Sequence, residues 1–268
     1  MLDAAYPLHQ RSKGAARVAL GPDGNVVDLF QQGSAKAILP RVHSSVPEVV
    51  FLNTSGGLTG GDRLSLSLDI AAKTTVMAAT QTAERAYASS AGTAEVDVDV
   101  RVGSDAFCLW MPQETILFEH AALNRKTRIT LADGARYLGV ETLVLGRAAM
   151  DETPQNLALN DLRHVIATDG TPLHAENIAL TPKTLLKREN RAGLAGHSVF
   201  ASLVYIGPDA EDLGPKVRQM TGQKAAVSAW KKRLVLRIEG DDSWDIRSIL
   251  IPVIKALGIH DVPRVWQT

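Results

Sequence analysis

Residues 93–102 read TAEVDVDVRV, and this short run decides the fold class. Val96, Val98, Val100 and Val102 fall on one side of an extended chain and Glu95, Asp97, Asp99 and Arg101 on the other, because successive strand side chains point to opposite faces. One face is apolar and the other is wet. Outward from this run, from about Ala15 to Ile206, the same period of two recurs in short segments punctuated by Gly, Pro, Asn and Asp. The segments are EVVFLNT (48–54), RLSLSLDI (63–70), KTTVMAATQ (73–81), AFCLWMP (106–112), ETILFE (114–119), RKTRITL (125–131), ARYLGVETLVLG (135–146), RHVIAT (163–168) and SVFASLVYIG (198–207), with RLVLRIE (233–239) beyond them. No helix of period 3.6 lies between them, which argues against a βαβ parallel sheet and for a mainly β fold, a sandwich, barrel or helix-like stack of many short strands. Two helices are expected in the C-terminal part, over 208–222 and 243–259. The first has Asp209, Glu211 and Asp212 in its first turn and Gly222 as a stop; the second has Ser243 as N-cap, Gly258 after its end and Pro252 to end or kink it. No repeat or linker divides residues 1–268, so a single domain is expected.

The chain has 268 residues, 45% hydrophobic, with 29 Lys plus Arg against 29 Asp plus Glu. A formal net charge of zero gives no general attraction to phosphate backbones or anionic lipid, so neither nucleic acid nor membrane is an expected partner. It also removes the repulsion that keeps isolated proteins apart, so a large, partly apolar partner interface is expected. The single cysteine, Cys108, excludes an internal disulfide and a zinc ribbon, and a reducing, cytoplasmic setting fits. The first twenty residues, MLDAAYPLHQRSKGAARVAL, are too interrupted by Asp3, Pro7, His9, Arg11 and Lys13 for the apolar stretch of a signal peptide.

The glycine-rich stretch FLNTSGGLTGGDRL (51–64) invites a phosphate-loop reading and fails it. Asp62 and Arg63 stand where a lysine and a hydroxyl are required, and a strand pattern follows where a helix should begin. Gly56, Gly57, Gly60 and Gly61 are therefore read as a turn whose backbone or close contacts forbid a Cβ, with Arg63, Arg85 and Tyr87 as neighbouring turn or interface residues. There is no G-x-S-x-G elbow and no H-E-x-x-H, and the seven histidines show no metal-ligand spacing. Glu95, Asp97 and Asp99 read as a solvated face and Cys108 as a buried, inert thiol. RAYASSAG (85–92) reads as a strand leading into a small-residue loop.

Several segments in order resemble the urease accessory protein D family, UreD or UreH. They are LNTSGGLTGGDRL (52–64), TQTAERAYAS (80–89), LWMPQETILFE (109–119) followed by Arg125, LGVETLVLGR (138–147), DGTPLHAENIAL (169–180) and PRVW (263–266). The chain departs from the family pattern at Asp151, where a glycine is expected before Glu152. The resemblance implies a β-rich fold with two helices and a nonenzymatic maturation chaperone. Such a protein would bind the urease apoprotein, recruit accessory proteins F and G, and support nickel delivery. It also implies a polar internal passage, for which Asp62, Glu141 and Glu176 are the matching candidates. No cofactor is expected to be tightly bound, nickel being a transient passenger on oxygen ligands that release it. A β-rich hydrolase or isomerase with a site assembled from distant carboxylates, or a purely structural subunit, remain the alternatives that the residues leave open.

Overall fold

The computed structural model describes residues 11–40, 46–147, 150, 152–191 and 193–267. The first ten residues and Asp151 lie outside them, so the sequence readings at those positions have no structural counterpart. The first strands are β1 (Lys13–Leu20), β2 (Val26–Gly33), β3 (Ala35–Ile38), β4 (Glu48–Asn53), β5 (Arg63–Ile70) and β6 (Thr75–Thr80). There follow β7 (Glu84–Ala86), β8 (Ala94–Val102), β9 (Phe107–Trp110), β10 (Thr115–Leu117), β11 (Ala122–Leu131) and β12 (Arg136–Leu145). The last are β13 (Ala158–Ala167), β14 (Pro172–Leu180), β15 (Val199–Ile206), β16 (Ala226–Trp230) and β17 (Arg233–Gly240). Three α-helices are described: α1 (Pro182–Leu185), α2 (Ala210–Thr221) and α3 (Ser243–Ala256). The fold is mainly β, as the alternation in TAEVDVDVRV requires.

The strands form two sheets, one ordered β14-β13-β11-β8-β5-β1-β2 and the other β16-β17-β15-β12-β9-β6-β4-β3. From β4 to β13 the chain alternates between them, so each strand pairs in parallel with the strand one coil earlier: β5 with β8, β8 with β11, β11 with β13, and opposite them β4 with β6, β6 with β9, β9 with β12. The pairing is parallel without any βαβ unit because the crossover is itself a strand of the facing sheet. This is the helix-like stack among the expected architectures.

Parallel pairing in register lines up the inward residues of successive coils. Leu68 stands beside Val100 and Val100 beside Ile129; Ile70 stands beside Val102 and Val102 beside Leu131. These rows are buried and fill the space between the sheets. Asp97 is exposed and Glu95 and Asp99 are partly so, as the alternation predicts. A second core lies on the outer face of the other sheet, where Leu138, Leu203, Leu236 and Tyr205 meet Val217 of α2 and Ile246, Leu250, Val253 and Ile254 of α3.

The helix expectations need correction in three details. Asp242, not Ser243, caps α3 by accepting from the Trp244 amide. Pro252 does not end α3, which runs on to Ala256, because burial of Val253 and Ile254 against the sheet outweighs one lost backbone bond. Helix α2 spans Ala210–Thr221 and likewise contains Pro215, with Gly222 at positive φ as its stop. The short α1, capped reciprocally by Thr181 and Thr184, follows a proline-start pattern that the strand-based reading passed over.

A Val100→Ala substitution, at 1% exposure between Leu68 and Ile129, is expected to cost about 2 kcal/mol, whereas Asp97→Ala on the wet face should change stability by less than about 0.5 kcal/mol. Urea denaturation of the two variants checks this, and equal midpoints would refute the inward assignment.

Candidate functional site

At the β11 end of the first sheet the inward rows change character. The row that runs Leu64, Val96 continues to Arg125 and Asp161, and the row that runs Leu66, Val98 continues to Thr127, Arg163 and Glu176. The register that stacks valines therefore also stacks charged side chains between the sheets. Asp161 is fully buried and is gripped from two sides. Arg125 donates to it from Nε at 2.9 Å and Nη2 at 2.6 Å, and Arg163 from Nε at 3.0 Å and Nη2 at 2.5 Å.

The facing sheet completes the network. Glu141 on β12 lies 3.0 Å from Arg125 Nη1 and accepts from the indole N–H of Trp110 at 2.9 Å, while Thr115 accepts from Arg125 at 2.9 Å. Glu176 accepts from Arg163 at 3.1 Å, from the Ser202 hydroxyl at 2.9 Å and from Arg237 Nη2 at 2.8 Å. Arg237 is the outermost member, its side chain 53% exposed. Three carboxylates thus meet three guanidiniums. Burial alone would raise Asp161, yet Arg125 and Arg163 hold it down to about 2, and against the same burial Arg163, Ser202 and Arg237 hold Glu176 below the usual carboxylate range. His174, beside this end of the network, is kept towards its neutral form by burial and by Arg233, Arg237 and Arg163, against the pull of Glu176.

Glu84 on β7 lies near the opposite end, with the amide of Asn53 donating to both its oxygens at 3.2 Å. It lines a cavity of about 50 Å³ together with Asn53, Gly56, Gly57 and Arg85. Burial pushes its carboxyl up to about 7, with the Asn53 hydrogen bond and Arg85 and Arg125 opposing the rise. The carboxyl is thus poised between its two protonation states near neutrality.

Of the three candidate acids, Glu141 and Glu176 face this interior and together line a cavity of about 20 Å³ with Arg163, His174 and Ser202. Asp62 stands elsewhere. Its two oxygens accept from the Ser12 amide at 2.7 Å and the Thr59 amide at 2.9 Å, closing the glycine turn onto the start of β1 rather than pairing with Arg63. In that turn Gly60 is required for closeness rather than for φ, since a Cβ there would sit 1.9 Å from the Ser89 hydroxyl and 2.4 Å from the Ala91 carbonyl. Gly61, at φ +89°, is required for its conformation. Gly57 lies under the Tyr87 ring, and Gly56 has open space around it. The Leu58 amide and carbonyl bond the Arg85 carbonyl and Tyr87 amide, tying the turn to TQTAERAYAS. Arg63 and Arg85 point their side chains into solvent, and Tyr87 stacks at 5.1 Å from Phe118. Cys108 is buried, and burial pushes its thiol up to about 12.

The sequence reading did not single out Asp161, Arg163, Arg237 or Glu84. The C-terminal PRVW joins LWMPQETILFE and the start of β4: the Trp266 indole donates to the Met111 carbonyl at 3.0 Å, Gln113 donates to the Val265 carbonyl, and Glu48 accepts from the Arg264 amide at 3.1 Å. Among the described residues no three His, Cys, Asp or Glu side chains converge as a metal site, and no helix is long and apolar enough to cross a membrane.

Removing one member of the network leaves a buried charge unmatched. Asp161→Ala is expected to cost about 3–5 kcal/mol, more than the aliphatic truncation at Val100. Because Asp161 titrates lower in the folded chain than its ordinary 3.8, its contribution is present above about pH 4 and is lost as pH falls toward 2. Glu84 runs the other way. Its raised value favours folding below its ordinary 4.5, and that contribution is lost as pH rises through about 7, so Glu84→Gln should flatten the stability profile between those values. Urea midpoints from pH 4 to 8 test it; an unchanged slope in the variant would refute the assignment.

The UreD urease accessory protein family matches residues 12–267. A urease accessory protein UreD of Cereibacter sphaeroides is 48% identical over 264 residues, covering 96% of this chain and 96% of its own. The UreD of Paracoccus denitrificans is 43% identical over 271 residues, covering 100% of this chain and 96% of its own, and that of Rhizobium leguminosarum bv. viciae is 41% identical, covering 98% of each. The chain belongs to the UreD urease accessory protein family, and its part in urease maturation is that of an accessory protein rather than an enzyme.

Proposed function

We propose that this chain is a chaperone-like scaffold that binds the urease apoprotein in the cytoplasm, works with accessory proteins F and G, and conveys nickel as cargo through its interior. The observation that carries this reading is the row of carboxylates, Glu141, Asp161 and Glu176, set between the sheets where an apolar core would otherwise be. Burying five charged groups for stability alone is a poor bargain, because a well-packed hydrophobic set of similar volume serves as well or better. Oxygen donors bind a borderline dication loosely enough to release it, which suits conveyance. Glu176 is the accessible end of the row, since its outer partner Arg237 is half exposed and free to swing into solvent and yield its place to a cation. Asp62, occupied by backbone amides of its turn, is not part of this path. The exposed apolar side chains Val27, Leu29 and Phe30 on edge strand β2 suit a protein that works bound to partners.

Glu176→Gln keeps an acceptor for Ser202 and removes the charge. In cells expressing urease with its accessory proteins, this variant is expected to lower nickel per urease active site several-fold while leaving the pull-down yield with urease unchanged. Normal nickel loading would overturn the passage, and loss of the complex would reassign Glu176 to holding the scaffold.

A further inference from the structure

We propose that a cleft along the free edge of β14 receives an extended, carboxylate-bearing segment of a partner protein, added to the first sheet as a further strand. This proposal needs no metal, although its cleft shares Glu176 and Arg237 with the nickel reading. The cleft measures about 550 Å³ and is lined by six consecutive residues, Ala175 to Leu180. A surface that meets only one face of a strand touches every second residue; one that touches all six in succession runs along the edge. The other edge of β14 is taken by β13, and β14 ends its sheet, so among the described residues the edge in the cleft carries backbone N–H and C=O groups with no strand partner.

The opposite wall supplies charge. Arg188, Arg191 and Arg237 line the cleft, against Glu176, already held by Arg163, Ser202 and Arg237, and Glu239. Arg188 is the telling residue. Its Nη2 donates to the Gly196 carbonyl at 3.1 Å, but its Nε and Nη1 are buried with no hydrogen-bond acceptor, and the nearest carboxylate, Glu189, stands 3.8 Å from Nε. Two buried guanidinium donors without an acceptor are costly, and if the Arg188 head turns into the cleft a carboxylate is the group whose geometry answers both. Apolar side chains, Ile178, Leu180, Leu194 and Phe200, line the same cleft. Strand addition uses all three features together: main-chain pairing for affinity, and side-chain pockets and charge for selection.

Fluorescence anisotropy with a labelled octapeptide of alternating Val and Glu tests the proposal on the full chain. Saturable binding is expected. It should be at least tenfold weaker for the matching Val–Lys peptide, and lost for a Val–Glu peptide N-methylated along one edge, which cannot pair as a strand. Arg188→Gln and, at an exposed site less tied to folding, Arg191→Gln should each weaken binding about threefold or more, while Arg101→Gln on the distant wet face of β8 should leave it unchanged. Hydrogen exchange should show new protection within residues 175–180 on binding. Equal binding of the Val–Lys or the N-methylated peptide, or no binding of the Val–Glu peptide, would overturn it.

Discussion

Register is the constraint on which the molecule depends. In a coil whose strands pair in parallel, each inward residue is placed beside the inward residue of the coil before, so a row begun by Leu64 and Val96 can only be continued by whatever stands at Arg125 and Asp161. A slip of one residue would turn every row inside out. Apolar rows tolerate exchange of one aliphatic for another, whereas the charged rows do not, because each guanidinium has been set opposite a particular carboxylate by the same backbone.

Matching of charge explains why the interior can be polar at all. Arg125, Arg163 and Arg237 balance Glu141, Asp161 and Glu176, with Thr115, Ser202 and Trp110 adding further hydrogen bonds. Glu84 comes after that balance is complete. With a side-chain hydrogen bond from Asn53 and none from a guanidinium, burial leaves it near neutrality in its titration while Asp161 is driven far into its charged form. Two buried carboxyl groups in one protein thus behave oppositely because Asp161 is hydrogen-bonded directly by two guanidiniums, whereas Arg85 and Arg125 act on Glu84 without a side-chain hydrogen bond to it and burial prevails.

Much of the fold was legible because alternation is a local signal. TAEVDVDVRV declares both faces of β8 without help from any neighbour, and the two C-terminal helices declared themselves by period and by Gly222 and Gly258. Pro252, read as ending or kinking α3, does not end it, because its cost is local and the burial that overrides it is not. The network was harder to read. Glu141 and Glu176 came from resemblance to a family, not from pattern. A pattern did exist: in β11 the inward phase runs Leu123, Arg125, Thr127, Ile129, Leu131, so an arginine stands in an apolar register, and in β13 Asp161 and Arg163 stand in the phase of Leu159 and Val165. A charge in the buried phase of a strand is a signal that its opposite lies on a neighbouring strand, but which neighbour is fixed only by the coil. Gly60 shows the same limit, since the hydroxyl and carbonyls that exclude its Cβ belong to residues about thirty positions away.

The spacing of the buried pairs also dictates an order of assembly. Arg125 is separated from Asp161 by 36 positions and Arg163 from Glu176 by 13, with Arg237 a further 61 beyond Glu176. A chain gathering its coils from the N-terminal side can dehydrate the aliphatic rows as soon as β5, β8 and β11 meet, whereas Arg125 meets Thr115 and Glu141 first but is not closed on Asp161 until β13 arrives, and Glu176 is not fully clasped until β17 does. The aliphatic rows can thus close with fewer strands in place than the charged ones, whose outer groups are not shielded from water until β17 joins.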